Sequence, residues 1–315
     1  MRLQAKVLLS GLETASALRI VRASPGLVWR ALDADQVVGS VTAFLRPDDR
    51  WFVNVDRASR SDSYGPLLAA LARNTARDLY ATVDETDTEA LGIFARLGFS
   101  VNRRESNYVI PTDPQVTGLY IAEPDGIVII SAVDACEDDM RLLDDALRQD
   151  VPGTAGWRWD PSDFHEETFD SQFDPATYLI AVDTASGDYV GLVRVWNSPG
   201  RPRLGLIAVL APYRRRGLAS ALLARAFGVL HERGASEVTA EVDDTNTASR
   251  SLLLRLGASR EGGTVEIIKP MTKGQPQPAD AAFPPSPAIP PGRLLGPPGT
   301  SAGPPHECRT GCGKQ

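Results

Sequence analysis

The residues best suited to chemistry in this chain lie between positions 207 and 220. An apolar run containing Ile207, Ala208 and Val209 passes through Leu210, Ala211 and Pro212 into Tyr213, Arg214, Arg215, Arg216, Gly217, Leu218, Ala219 and Ser220. This reads as a strand, a short turn and a helix whose first turn carries arginines and glycine and no carboxylate. The first N–H groups of a helix have no intrahelical acceptor, and the aligned peptide dipoles place partial positive charge there. Such an end is an anion site, and pyrophosphate is its natural ligand. Gly217 and Ala219 keep side chains away from approaching phosphate oxygens, while the arginines add charge and fork-shaped donors. The spelling at this turn matches neither a P-loop nor a dinucleotide-binding glycine fingerprint.

What Arg214, Gly217 and Ala219 do fill is the pattern Arg/Gln-x-x-Gly-x-Gly/Ala after a strand. This resembles motif A of the GNAT N-acetyltransferase superfamily. The elements that must position the turn agree with that resemblance. After it, Leu218, Leu222, Ala226 and Leu230 form one row of a helix and Ala219, Leu223 and Phe227 the next, a stripe wide enough to pack on a sheet. Gly234 is placed to end it. A strand alternating Val238, Ala240 and Val242 with Glu237, Thr239 and Glu241 follows. The segment from Asn246 to Ala258 then resembles the asparagine-led helix and glycine of the same family.

The resemblance implies a reaction and a division of labour. An amine attacks the thioester of acetyl-CoA, so the site must hold the cofactor, accept a proton, stabilise an oxyanion and protonate the leaving thiolate. By the resemblance, backbone groups of Ile207, Ala208 and Val209 pair with the pantetheine arm and serve the oxyanion. Arg215, Arg216, Gly217, Leu218, Ala219 and Ser220 contact the pyrophosphate, with Arg214 opening the turn. Asn246 matches the asparagine whose amide contacts CoA, although asparagine is equally a favoured helix N-cap. Glu241 stands where some members keep a general base; the alternative is a solvent-facing strand residue. Leu253 is a departure, because many members carry there a tyrosine that protonates the thiolate, a contribution of about 10²–10⁴-fold. Water, Ser249 or Tyr213 are the candidate substitutes. Between the first strand of this half and the sheet, Trp157, Trp159, Asp160, Asp163, His165, Glu166 and Glu167 suit a cationic amine, or simply form a solvated loop anchored by tryptophans.

The expected fold class is α/β, an α+β GNAT-type sandwich in two tandem domains, each with a mixed, centrally splayed sheet flanked by helices, plus a disordered C-terminal tail. The tandem reading comes from an internal repeat: residues 84–99 line up without gaps on 243–258, with Ala90, Ile93, Phe94 and Leu97 at the helical offsets of Ser249, Leu252, Leu253 and Leu256. Strands are expected near 26–31, 37–45 and 51–55 and a helix over 66–79. In the second half, strands are expected at 127–131, 178–182, 189–196 and 204–210, a helix at 138–147, and no clear periodicity over 153–173. The first copy has Asp62, Gly65 and Leu67 where the second has Arg214, Gly217 and Ala219, and Asp87 replaces Asn246. An aspartate repels pyrophosphate, so a degenerate domain over 1–112 is expected to partner a catalytic one over 118–271, in a layout similar to tandem acetyltransferases.

Composition sets the outer limits. The 315 residues suit two cores, and a net charge of −7 argues against sequence-independent nucleic-acid binding. No stretch approaches a membrane-spanning length and no secretory leader is recognised, so a cytoplasmic protein without membrane partners is expected. The cysteines, Cys136, Cys308 and Cys312, are odd in number and argue against a disulfide framework. Residues 273–315, rich in Pro and Gly, are expected to be disordered. His306, Cys308 and Cys312 lack the spacing of a metal site, so acetyl-CoA without a metal is the expected cofactor. The sequence therefore points to an N-acetyltransferase acting on a small-molecule or peptide amine, as monomer or homodimer. The alternative is a non-catalytic acyl-CoA-binding or interaction module.

Overall fold

The computed structural model describes residues 18–23, 28–56, 58–75, 77–122 and 124–270. The 273–315 tail, with His306, Cys308 and Cys312, lies outside them, as do residues 26 and 27 of the expected 26–31 strand. The chain gathers into two compact units. The smaller holds residues up to Ala43 together with Val53–Arg77, and the larger holds Phe44–Phe52 and Asp78–Pro270.

In the smaller unit, β1 (Arg19–Ala23), β2 (Val28–Asp33) and β3 (Gln36–Leu45) pair antiparallel in sequence order. Helix α1 (Tyr64–Thr75) places Leu67, Leu68 and Leu71 in the core at 1% exposure or less. Gly65 lies inside this helix and does not adopt a left-handed conformation at its start. Leu67, which stands where the second copy has Ala219, is a core residue.

The larger unit contains β4 (Trp51–Val55, through Phe52), β5 (Leu79–Asp84), α2 (Thr88–Arg96), β6 (Ser100–Pro111), the short α3 (Pro114–Thr117), β7 (Ile127–Ser131), α4 (Glu137–Arg148), α5 (Pro161–Thr168), β8 (Tyr178–Asp183), β9 (Tyr189–Trp196), β10 (Arg203–Val209), α6 (Leu218–Glu232), β11 (Glu237–Asp243), α7 (Thr247–Arg255) and β12 (Ser259–Lys269). Its strands run in the order β4-β5-β12-β6-β11-β10-β9-β8-β7. Only the β4–β5 and β10–β11 pairings are parallel, and each joins two residue pairs: Trp51↔Leu79 and Phe52↔Tyr80 in one, Arg203↔Thr239 and Leu204↔Ala240 in the other. The pairs in this order that involve neither are antiparallel. Strand β12 lies between β5 and β6, and β6 lies between β12 and β11.

The repeat read from sequence is present in the backbone. Asp84 accepts from the Thr86 N–H and hydroxyl, and Asp243 does the same for Thr245. Asp87 caps α2 at φ −80°, ψ 73° through the Ala90 N–H, and Asn246 caps α7 at φ −78°, ψ 75° through the Ser249 N–H. Both helices end on a left-handed glycine, Gly98 at φ 88° and Gly257 at φ 79°.

Two apolar layers sandwich the second half of the sheet. On one face α6 buries Leu218, Leu222, Leu223, Ala226, Phe227 and Leu230, joined by Leu253 and Leu256 of α7. Each buried leucine contributes roughly 1.5–3 kcal/mol, so this stripe fixes α6 and with it the direction of its N-terminus. On the other face α4, α5 and the loop between them bring Met140, Leu143, Leu147, Trp157, Trp159 and Phe164 against Tyr178, Ile180, Leu192 and Leu206. Residues 153–173, where no period was evident, thus contain α5, set by Asp160 as N-cap and Pro161 as first residue.

Candidate active site

The site begins where β10 leaves β11. Their pairing stops at Leu204 and Ala240, and at that point β10 carries a β-bulge, its register against β9 shifting between Leu204 and Leu206. A bulge bends its strand and increases local twist. Gly205 occupies it for a steric reason: a Cβ there would lie 1.8 Å from Trp196 Cζ3. The rest of β10, with Ile207, Ala208 and Val209, runs on beside β9 alone, leaving its other edge without a ladder to β11. β11 meanwhile stays paired to β6 through Asp243↔Glu105. A mixed sheet opens at its centre, as the sequence led us to expect.

The turn after β10 is shaped for an anion. Arg215 and Gly217 both adopt left-handed conformations, at φ 61° and 85°. Positive φ is uncommon for a residue with a Cβ, and such outliers cluster at functional sites. Gly217 is the N-cap of α6 and offers no side-chain acceptor, and the first turn has no acidic residue. The N–H groups of Leu218, Ala219 and Ser220 are therefore left to an outside ligand. Arg215 and Arg216 are exposed and make no ion pair among the described residues; Arg216 lies over the Tyr213 ring at 5.3 Å. Arg214 has a different task. Its Nε donates to the Val209 carbonyl at 2.8 Å and it pairs with Asp150 at 2.5 Å, lashing the turn to the end of β10.

The remaining expected residues are distributed around the opening. Glu241 pairs with Arg203 at 2.5 Å and is 42% exposed. Asn246 caps α7, its Oδ1 accepting from the Ser249 N–H at 3.0 Å. Leu253 is 2% exposed and packs in the α6 core, so a hydroxyl-bearing side chain is replaced there by an apolar contact. Of its candidate substitutes, Tyr213 donates its hydroxyl to Asp183 at 2.8 Å, which raises the phenol and lowers the carboxyl.

The stretch expected to face the acceptor separates into different roles. Trp157 and Trp159 are core residues, 1% and 6% exposed, and Trp159 Nε1 donates to Asp144. Asp160 caps α5, hydrogen bonds from Ser162 holding its carboxyl below the ordinary range. His165 is exposed and meets Glu137 at 3.0 Å. Glu167 alone of its acidic residues is buried, at 7% exposure. Sequence reasoning had missed Arg194 and Trp196 altogether, since neither falls in a recognisable motif. Arg194 Cζ lies 4.5 Å from the Trp196 ring centroid and Arg203 Cζ 4.9 Å, so the indole is stacked between two guanidinium groups. Among the described residues no group of three or more His, Cys, Asp or Glu side chains is placed to hold a metal ion, and no helix is long and apolar enough to cross a membrane.

A sheet that splays beside an uncapped, glycine-led helix defines a GNAT-type domain. Residues 142–258 match the acetyltransferase (GNAT) family. Over 144 residues it is 33% identical to a mycothiol acetyltransferase of Salinispora arenicola, an alignment covering 44% of this chain and 46% of that protein. The chain thus spans about half the length of that relative. A shorter stretch of 60 residues is 40% identical to the N-alpha-acetyltransferase MAK3 of Arabidopsis thaliana, covering 19% of this chain and 32% of that one. Among solved structures, a tandem GNAT protein from the clavulanic acid biosynthesis pathway superposes with TM-score 0.59 at 18% identity, over 80% of this chain and 83% of that one. A GCN5-related N-acetyltransferase from Sphaerobacter thermophilus gives TM-score 0.58 at 22% identity, over 79% and 82%.

Proposed function

We propose that this chain is an acetyl-CoA-dependent N-acetyltransferase whose working half is the second repeat, 118–271, with the first repeat, 1–112, a partner that has lost its cofactor turn. One observation carries the reading: the left-handed Gly217 opens α6 with no capping side chain and no acidic residue, directly after a strand that has parted from its parallel neighbour. The opening offers unladdered backbone at Ile207, Ala208 and Val209 for an extended amide-bearing arm, and free N–H groups for a pyrophosphate. Attack of a primary amine on the thioester then gives an amide and free CoA. The first repeat has no equivalent turn: Gly65 is inside α1, and Asp62 pairs with Arg60 at 2.8 Å.

The test is thermal melting with acetyl-CoA. At about 100 times Kd, binding stabilises the native state by roughly 2.7 kcal/mol. Gly217→Glu, which places a carboxylate on the anion turn, is expected to abolish the ligand-induced shift, whereas Gly65→Glu retains it. A wild-type chain that shows no shift refutes the proposal. Leu253 in the core and a committed Tyr213 favour a second reading, an acyl-CoA-binding module without turnover; enzyme-dependent thiol release with any amine excludes it.

A further inference from the structure

At the C-terminal end of α5, polar groups are buried without partners. Glu167 is 7% exposed and Thr168 fully buried; Tyr178, on β8 beneath them, is 1% exposed. The Thr168 and Tyr178 hydroxyls have no hydrogen-bond partner, whereas the Glu167 carboxyl oxygens are not among the buried unsatisfied atoms and so keep some contact with solvent. A buried polar group left unsatisfied is costly, so two of them side by side mark a place built for something other than packing.

The charged surroundings are specific. Arg194 on β9 donates to the Glu167 backbone carbonyl and lies over the Tyr178 ring at 5.3 Å, with Tyr178 and Arg194 directly paired across β8 and β9. Asp163 and Glu166 on α5 and Asp170 just beyond it are the acidic groups that act on the Glu167 carboxyl, and Arg194 is the cation. Burial is the dominant influence, pushing the carboxyl from 4.5 to about 7. Arg194 in turn is paired with Leu206 of β10, just past the last β10–β11 pair. Neighbouring strands lie about 4.8 Å apart, so the Arg194 backbone stands one strand from the open edge where the thioester is expected, and its guanidinium ties the end of α5 to that position. Arg194, Trp196, Arg203 and Glu241 continue as a stacked row across the same face.

We propose that Glu167, and not Glu241, is the general base that takes the proton from the acceptor amine. The assignment rests on the acetyltransferase reading above. Glu241 is exposed and already paired with Arg203, whereas Glu167 is sheltered and held by Arg194 beside the opening. The Glu167 carboxylate removes one proton from the substrate ammonium. The neutral nitrogen attacks the thioester carbon and forms the C–N bond; as the C–S bond breaks, the second nitrogen proton passes to sulfur. Amide and free thiol leave, and Glu167 returns its proton to water. The buried hydroxyls of Thr168 and Tyr178 can carry that proton or orient the amine.

The experiment uses the full chain with acetyl-CoA and methylamine, ethanolamine and spermidine as acceptor probes, following thiol release from pH 5 to 9. The wild type should show an acidic limb with an apparent pKa near 7. Glu167→Gln should lose that limb and fall by about 10²-fold or more in kcat, with the acetyl-CoA melting shift unchanged. A limb that persists in Glu167→Gln, or a wild type that binds acetyl-CoA yet releases no thiol with any probe, overturns the assignment. Loss of the acetyl-CoA melting shift in the wild type instead overturns the acetyltransferase reading beneath it.

Discussion

Replacing Glu167 with glutamine is expected to stabilise the protein, and only above a certain pH. The residue is 7% exposed, and burial pushes its carboxyl from 4.5 to about 7 in the folded chain. Below 4.5 both folded and unfolded chains hold the proton, so the group contributes no pH dependence. Between 4.5 and 7 the folded chain keeps a proton that the unfolded chain has released, and stability falls as pH rises. Above 7 both are ionised and the full cost of the buried charge is present. At 1.36 kcal/mol for each pH unit between the two values, that cost is at most about 3 kcal/mol, and solvent reaching the carboxyl lowers it. Glutamine has the shape of the neutral acid and never ionises. Glu167→Gln should therefore melt with the wild type near pH 4.5 and progressively above it as pH rises, by several degrees at pH 8, since 1 kcal/mol moves Tm by about 2–4 °C in a domain of this size. Melting curves of both chains at intervals from pH 4.5 to 8.5 measure the difference directly. A difference that is constant across pH, or a variant less stable than the wild type at pH 8, refutes the argument that this carboxyl is buried without compensation.

The duplicated caps should behave alike in stability and differently in binding. Asp87→Ala and Asn246→Ala are each expected to cost about 1 kcal/mol by denaturant unfolding, but Asn246→Ala alone should weaken the acetyl-CoA melting shift if its amide also meets the cofactor. Gly205→Ala should displace the Trp196 ring, whose nearest atom would lie 1.8 Å from the new Cβ; overpacking of this kind costs about 1–3 kcal/mol. Tryptophan fluorescence should move with it, and an unchanged spectrum and stability would show that the bulge is not held by this contact.

Much of the fold was legible because its elements bury one face at a regular period. The α6 rows and the strands at 127–131, 178–182 and 189–196 announce themselves this way, and the structure differs only at their ends. Strands β6 and β12 did not, because charged residues interrupt their alternation: Arg103, Glu105 and Glu266 occupy sheet positions and satisfy one another, with Arg103 Nε 2.9 Å from Glu266. A broken alternation gives no period to read. The glycine-led turn before α6 was legible from spelling alone, since positive φ restricts the residue types to a few. The cluster of Glu167, Tyr178 and Arg194 was not, because its groups come from α5, β8 and β9 and converge only through pairing, as Tyr178 with Arg194 does. Asn246 shows a third case, in which the cap predicted as the plainer of two roles is present and leaves the second role to experiment.

The exchange of strands around β12 has a consequence for how the chain is made. β5 ends at Asp84 and β6 begins at Ser100, yet the strand that lies between them ends at Lys269. During synthesis at about 5–20 residues per second, the edge of β5 stays open for 185 residues after Asp84 (269 − 84), and that of β6 for 158 after Pro111 (269 − 111), before their shared neighbour is complete at Lys269. The interval is roughly 10–40 s, long compared with hairpin formation in microseconds. A ribosome-bound chain stopped short of β12 therefore presents two unpaired edges at once, and those edges are where a chaperone, or a second nascent copy, would first find it.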